Sequence, residues 1–201
     1  VAISDYATLQ TAVDNWLSHQ LFTARVPEFI ALFEATANRR LRVRQQETST
    51  TLTPSAGEAA IPADYLSWRQ AKWTGDTPVV LEYVEPDYLD ASRPIVTSVN
   101  PTMFTIEGAT FRTGSSDTTD ISFKYFAKVA SLSDVATTNW LLTAHPDLYL
   151  FGSLCEAEAF GSNDERIMLW KARRDEVFEE IEKLSNKTRG SGVVKVLGPT
   201  P

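Results

Sequence analysis

The sequence predicts an α+β fold: helices from the two ends of the chain form one bundle, an antiparallel β domain is inserted between them, and an extended arm closes the C-terminus. Three observations carry this expectation. Apolar residues recur at three- and four-residue steps before about residue 46 and again after about residue 133. Between these segments the composition turns to Thr, Val, Tyr, Trp and Phe punctuated by Pro and Gly, as short strands require. The final stretch, NKTRGSGVVKVLGPTP, joins small flexible residues to an apolar β-forming run. The expected domains are 1–46 with 133–187 as the bundle, 47–132 as the β insertion and 188–201 as a flexible arm.

Each element has its own justification. In the first helix Tyr6, Leu9, Val13, Trp16 and Leu17 recur at helical spacing, and Ser4 stands before them as a candidate cap. The polar stretch SHQLFTAR interrupts the pattern. Pro27 suits the first turn of a second helix, where its missing N–H costs nothing, and Ile30, Phe33, Ala37 and Leu41 continue one face. At ETSTTLT (47–53) the period changes. TPVVLEYV, PTMFTIEG, ATFRTG and DISFKYFA have strand length and composition, with Glu107-Gly108-Ala109 as a tight hairpin turn and TGSSDTT (113–119) as a longer loop tip. Strands this close together imply an antiparallel sheet, curled or doubled into a small sandwich. EPDYLDAS (85–92) reads as a helical turn between strands. Pro146 opens a helix to about Phe160. SNDE (162–165) has the form of a capping box, Ser162 accepting from the Glu165 N–H. A helix of about twenty residues follows, with Ile167, Trp170, Val177, Ile181 and Leu184 at helical spacing.

Of the 201 residues, 43% are hydrophobic and 22% charged, the balance of a soluble globular chain with one core or one core and a satellite. No apolar run reaches the roughly 18–20 residues of a spanning helix, so no membrane partner is expected. The opening VAISDYATLQ lacks the basic-then-apolar order of a secretory signal. One cysteine forms no internal disulfide, and with two histidines it falls short of a structural zinc site; neither metal nor cofactor is expected. The net charge of −7 opposes general nucleic-acid binding, which needs clustered cations. It suits a surface past which DNA moves without being held, and equally an ordinary soluble surface.

The stretch HPDLYLFGSLCEAEAF (145–160) places His145 near Cys155 and raises the question of a nucleophile with its base. About ten residues of helix separate them by about 15 Å, whereas such a pair needs about 3 Å. Only Gly152 invites a break that would bring them together. Cys155 therefore reads as a core residue and His145 as a cap or turn residue. Glu156 and Glu158 diverge by about 200° around a helix. Glu34 or Glu47 would make a glycosidase pair only by meeting another carboxylate across the fold. Asp117 and Asp120 lack calcium-loop spacing, and no phosphate-cradling glycine loop is present. No catalytic residue is expected. Trp68, Trp73 and Tyr83 read either as core or as an exposed aromatic platform for a glycan.

Two segments carry interaction chemistry instead. NRRLRVRQQ places Arg39, Arg40, Arg42 and Arg44 at the end of the second helix, where the helix dipole favours cations. Arg39 and Arg42 share one face and Arg40 and Arg44 another, so the cluster can bridge two neighbours through bidentate pairs with carboxylates. In the arm, Val193, Val194, Lys195, Val196 and Leu197 form a strand-like run behind a glycine hinge, which is what β-augmentation of a partner requires. A plain disordered chain end is the other reading of the same residues.

SDYATLQTAVDNWL, VPEFIALFEATANRRLRVRQQETSTTLT, IPADYLSWRQ and NWLLTAHPDLYLFGSLCEAEAFGSNDERIMLWKAR together resemble the phage head-to-tail adaptor (connector) proteins, especially the tail tubular protein A type of short-tailed phages. The likeness runs from about Ser4 to Leu184, and the spacing from LRVR to IPADYL to HPDLYL carries it. The resemblance implies a non-enzymatic virion structural protein at the head–tail junction, assembled in the host bacterial cytoplasm. It implies a homo-oligomeric ring, typically a dodecamer, between the portal protein and the tail nozzle or tail tube, with DNA passing through its channel unbound. Under it, Arg39, Arg40, Arg42 and Arg44 become candidate subunit contacts and Val193–Leu197 candidate portal-docking residues. The alternatives are a tail-associated glycosidase and a glycan-binding module.

Overall fold

The computed structural model describes residues 2–17, 20–92, 99–161 and 164–189. In chain order the helices are α1 (Tyr6–Trp16), α2 (Val26–Arg40), α3 (Pro86–Ser92), α4 (Trp140–Ala144), α5 (Pro146–Gly161) and α6 (Asp164–Arg189). The strands are β1 (Glu47–Leu52), β2 (Glu58–Ala60), β3 (Tyr65–Trp73), β4 (Val79–Val80), β5 (Glu82–Tyr83), β6 (Met103–Glu107), β7 (Thr110–Arg112) and β8 (Ile121–Ala127). The chain is mixed helix and sheet, and it divides into two compact units, 1–45 with 129–201 and 46–128.

In the helical unit, α1 is capped by Asp5 and not by Ser4. The Thr8 N–H donates to Asp5 Oδ1 at 2.8 Å and the Asp5 N–H donates to Thr8 Oγ1 at 3.0 Å, a reciprocal box. The bond from the Thr8 N–H holds the Asp5 carboxyl below its ordinary value. A 310 turn at Gln20–Arg25 leads into α2, whose first turn contains Pro27. An unexpected short helix, α4, is capped by Asn139, whose Oδ1 accepts the Leu142 N–H at 2.8 Å. It ends at His145, a turn residue, and Pro146 starts α5 immediately afterwards.

Helix α5 is apolar on every side and packs against α1, α2, α4 and α6, as an interior helix must. It runs unbroken through Gly152. A Cβ at that position would fall on the Phe33 ring of α2, so the glycine lets the two helices close on one aromatic side chain. The surrounding core draws Leu9 and Val13 from one end of the chain and Phe178 and Ile181 from the other. Arg166 of α6 donates to the Trp16 carbonyl at 2.9 Å and pairs with Glu158 of α5 at 2.9 Å, which joins three helices at one guanidinium. Helix α6 is longer than its apolar pattern indicates, because no helix breaker precedes Gly190. The candidate cap Ser162 and the run Val193–Leu197 lie outside the described residues.

The second unit holds two four-stranded sheets, ordered β1-β8-β3-β4 and β2-β7-β6-β5. The expectation of a wholly antiparallel arrangement is corrected at one place: β5 and β6 pair in parallel, Glu82 with Met103 and Tyr83 with Phe104. Parallel neighbours need a crossover, and α3 lies in the connection between them. The β6–β7 hairpin turns on Gly108 and Ala109, with Gly108 at a φ of 59° that glycine adopts without penalty. Strand β3, nine residues long, has no clean alternation in the sequence. Register shifts between Tyr65 and Ser67 and between Trp68 and Gln70 break the period of two. Phe104 stacks on Phe111 at 5.0 Å, and Phe111 meets Phe123 of the other sheet edge-on at 5.6 Å. Among the described residues no helix is long and apolar enough to cross a membrane.

Candidate interaction surfaces

The arginine segment follows directly from the end of α2. Leu41 and Val43 are buried, which pins the chain and turns the residues between and beyond them outward. The four arginines then take different environments. Arg40 Nη1 donates to Asp175 at 2.9 Å and Nε to Glu182 at 3.0 Å, while its guanidinium lies 4.5 Å above the Phe178 ring. It joins α2 to α6. Arg42 Nη1 donates to the Asn38 and Leu41 carbonyls at 2.8 and 2.5 Å, filling acceptors that the helix end leaves open. Arg39 is exposed and donates only to Thr36 Oγ1, at 2.9 Å, among the described residues. Arg44 lines a groove of about 470 Å³ with Gln45, His145, Ile181 and Leu184. Among the described residues neither Arg39 nor Arg44 has a carboxylate within ion-pair distance, in contrast to Arg40.

A second surface was not singled out in the sequence. It is a groove of about 440 Å³ along α6, floored by Trp16, Phe151, Leu169 and Trp170 and rimmed by Asp147, Arg173, Glu176 and Glu180. Trp170 stacks on Phe151 at 5.9 Å and tilts against Trp16 at 5.5 Å. Trp16 remains 46% exposed and Leu169 50%. The signal was available in IMLW (167–170). Four consecutive apolar residues wrap around a helix, so one or more must face away from the core. Met168, 71% exposed, and Leu169 are those residues.

Of the chemical candidates, Cys155 is sealed by burial, and Glu34, Glu47, Asp117 and Asp120 have partners within the chain. Cys155 is buried, and burial pushes its thiol up to about 11, where almost no thiolate exists at neutral pH. Glu34 is buried in α2, and its Oε1 accepts the Leu132 N–H at 2.8 Å and the Tyr149 hydroxyl at 3.1 Å. Burial raises the Glu34 carboxyl despite these bonds. Burial, then the Glu34 charge, raises the Tyr149 hydroxyl, whose oxygen accepts from Asn139 Nδ2 at 2.6 Å. Glu47 belongs to the other unit and faces Arg69 at 3.8 Å. Asp117 accepts from the Thr119 N–H at 3.0 Å, the Thr119 hydroxyl at 2.8 Å and the Trp73 indole N–H at 2.7 Å. Burial alone raises the Asp117 carboxyl, but these bonds outweigh it and hold the group below its ordinary value. Asp120 accepts the Thr53 hydroxyl at 2.6 Å. No group of three or more side chains that could hold a metal occurs among the described residues.

The three-ring aromatic platform does not form. Trp73 is buried, with its indole turned to Asp117. Trp68 and Tyr83 do stack, at 5.4 Å, with Phe104 edge-on beneath Trp68 at 5.5 Å. Trp68 is exposed and Tyr83 half-buried, so two of the three rings form a stacked pair at the surface above Phe104.

The profile of the family described as SU10 adaptor protein matches residues 4–196. No curated protein is significantly similar to the chain.

Proposed function

Because the chain belongs to the SU10 adaptor protein family, a phage head–tail adaptor family, we propose that it forms a ring, typically of twelve copies, between the portal protein and the tail nozzle or tail tube. The observation that carries this reading is the extent of the match, residues 4–196 of 201. The role is structural: the ring seals the head–tail joint of the virion and DNA passes through its channel. A net charge of −7 per copy supports passage without retention, since acidic walls repel phosphate.

A closed ring needs two unlike patches on every copy. The helical unit offers two that differ in character: the outer face of α2, ending in exposed arginines, and the acid-rimmed aromatic groove along α6. In this reading the helices of both chain ends act as one bundle, with Arg39 and Arg44 as contacts and Arg40 and Arg42 bracing the segment from within. Val193, Val194, Lys195, Val196 and Leu197 add a strand to the portal, and assembly takes place in the host cytoplasm.

Imaging the protein mixed with its portal tests the reading. Closed rings seated on the portal are the expected result; a protein that stays monomeric with portal and tail components present refutes it. Truncation after Arg189 should abolish portal binding and leave the far-UV circular dichroism unchanged. Undiminished binding removes the arm from the scheme and leaves the ring.

A further inference from the structure

We infer that the outer face of α2 in one copy docks antiparallel along the α6 groove of the next, with Leu32 on Leu169, Glu28 against Arg173 and Arg25 against Glu176. The inference rests on the ring reading and names the residues of its repeating contact.

The two surfaces match in spacing. Going backward from Leu32, α2 meets Glu28 after four residues and Arg25 after three more. Going forward from Leu169, α6 meets Arg173 after four residues and Glu176 after three more. At 1.5 Å per residue both stretches span about 10.5 Å and stay on one helix face. Arg25 immediately precedes α2 but has right-handed helical backbone angles, so it keeps the spacing. The order of chemistry is apolar, acid, base on α2 and apolar, base, acid on α6. With the helices antiparallel, every charge meets its opposite.

The faces match in exposure as well. Leu32 is 53% exposed and Leu169 is 50% exposed, each an apolar side chain facing out of its own subunit. Leu32 entering the groove would cover Leu169 beside the open part of Trp16. Arg25 and Glu28 lie 4.0 Å apart, and Arg173 and Glu176 lie 3.5 Å apart, all four on well-exposed side chains. Such pairs are weak, so each is free to exchange partners on docking. The Arg25 guanidinium rests 4.6 Å above the Phe160 ring, which fixes where its charge is presented.

The other end of the contact decides the orientation. Four residues beyond Leu32 is Thr36, whose hydroxyl holds the exposed Arg39 guanidinium at 2.9 Å. Four residues before Leu169 is Glu165, exposed and without an ion-pair partner among the described residues. Antiparallel helices bring these together and add a third opposite-charge contact. Parallel helices would set Arg39 over Glu176 but would press Glu28 onto Glu165 and leave Arg173 facing Thr36. One gain against one like-charge clash loses to three gains without a clash. Since the two faces are different parts of one compact unit, the contact is heterologous and repeats from copy to copy.

Two variant chains, Leu32→Cys and Leu169→Cys, are mixed in equal amounts with the portal present and oxidised, and the linked species are identified by mass. Cys155 is buried and does not compete. The mixed pair should link several-fold more than either variant with itself, and more than Leu32→Cys with Val135→Cys, whose site is 96% exposed. Adding Glu28→Arg to the first chain should cut the yield by about tenfold, because like charges across an interface are strongly disfavoured. Adding Arg173→Glu to the second chain should then restore it. A yield that rises with Glu28→Arg is the signature of the parallel orientation and overturns the antiparallel contact. Equal yields for all cysteine pairs, or no response to Glu28→Arg, overturn it too. The mass of the wild-type assembly on its portal is read in parallel. Rings without the specific link sink this contact alone, whereas monomers without it sink the ring reading as well.

Discussion

Replacing Glu34 by alanine tests the polar junction inside the helical unit. Its Oε1 is the shared acceptor for the Leu132 N–H and the Tyr149 hydroxyl, and both donors are inside the protein. Alanine leaves the Leu132 N–H buried without a partner, a cost of about 1–3 kcal/mol, and removes bonds to a charged acceptor of about 1.5–3 kcal/mol each. Relief of the buried charge offsets part of this, leaving a net loss of about 2–4 kcal/mol. At about 2–4 °C per kcal/mol for a chain of this length, Tm should fall by about 5–15 °C. Glutamine keeps an oxygen for both donors and should lie within about 1 kcal/mol of wild type. The pH dependence has a definite sign. Burial raises the folded carboxyl above its ordinary value of 4.5, so the folded state holds the proton more tightly than the unfolded state. Its contribution is fully present below 4.5 and is lost as pH rises through the folded value. Glutamine has no such loss, so Glu34→Gln should gain on wild type between pH 4 and pH 8. Urea unfolding followed at 222 nm across that range measures both effects. A Glu34→Ala protein as stable as wild type, or a glutamine variant that loses ground as pH rises, refutes the reasoning.

Gly152→Ala should destabilise by about 1–3 kcal/mol, as overpacking of a core does, with partial recovery when Phe33→Leu is added; paired urea curves measure it. Arg40→Ala removes two half-exposed ion pairs and a ring contact, and should cost about 1 kcal/mol, less in high salt. A double-mutant cycle with Glu182→Gln isolates the pair. Trp73→Phe leaves Asp117 without its indole donor and should cost about 1 kcal/mol at neutral pH. Since Asp117 sits below its ordinary value of 3.8, its contribution is present above that value and lost as pH falls through the folded one; Asp117→Asn should flatten the acid limb of the stability curve. The Cys155 thiol should react with a thiol reagent only at the rate of unfolding, which stopped-flow absorbance in rising urea would show.

The helices were legible because their apolar residues keep one period over several turns, as Phe29, Ile30, Phe33 and Ala37 do in α2. The β6–β7 hairpin was legible because only a residue such as Gly108 takes a positive φ freely in so short a turn. Strand β3 was not, because its two register shifts put Ser67, Trp68 and Arg69 out of alternation. The parallel pairing of β5 with β6 was not, because two-residue strands carry no pattern and the pairing is decided by a crossover. Ser4 in place of Asp5 was a one-residue error of a common kind: both residue types cap helices, and the choice rests on which side chain meets the Thr8 N–H. IMLW (167–170) announces an outward apolar face on α6 but not a groove, because periodicity identifies Trp16 and Trp170 as inward residues without showing how far each ring reaches past the core edge.

The arginine cluster shows why a charged run by itself does not identify an interface. On paper Arg39 and Arg42 share one helix face and Arg40 and Arg44 another, but α2 ends at Arg40 and Leu41 is extended, so the two faces do not continue. In the fold Arg40 meets Asp175, Glu182 and the Phe178 ring, so its charge is balanced before any neighbour arrives. Arg42 is turned back onto the carbonyls of its own helix end. The loss at Arg40 follows from geometry that no spacing rule reports: Asp175 and Glu182 are more than a hundred residues away in sequence, and they reach Arg40 because α6 returns alongside α2. The loss at Arg42 is local, to carbonyls four residues and one residue before it. What remains is Arg39, two turns beyond Leu32 on the same helix face, and Arg44 in its groove. An inter-subunit contact built on Arg40 would first have to break two ion pairs; one built on Arg39 gives up a single bond to a threonine hydroxyl. Substituting Arg39 should therefore impair assembly without lowering stability, and substituting Arg40 should do the reverse. Measuring both properties on both variants separates the two roles, and equal effects of the two substitutions on assembly would show that the internal pairing of Arg40 does not decide it.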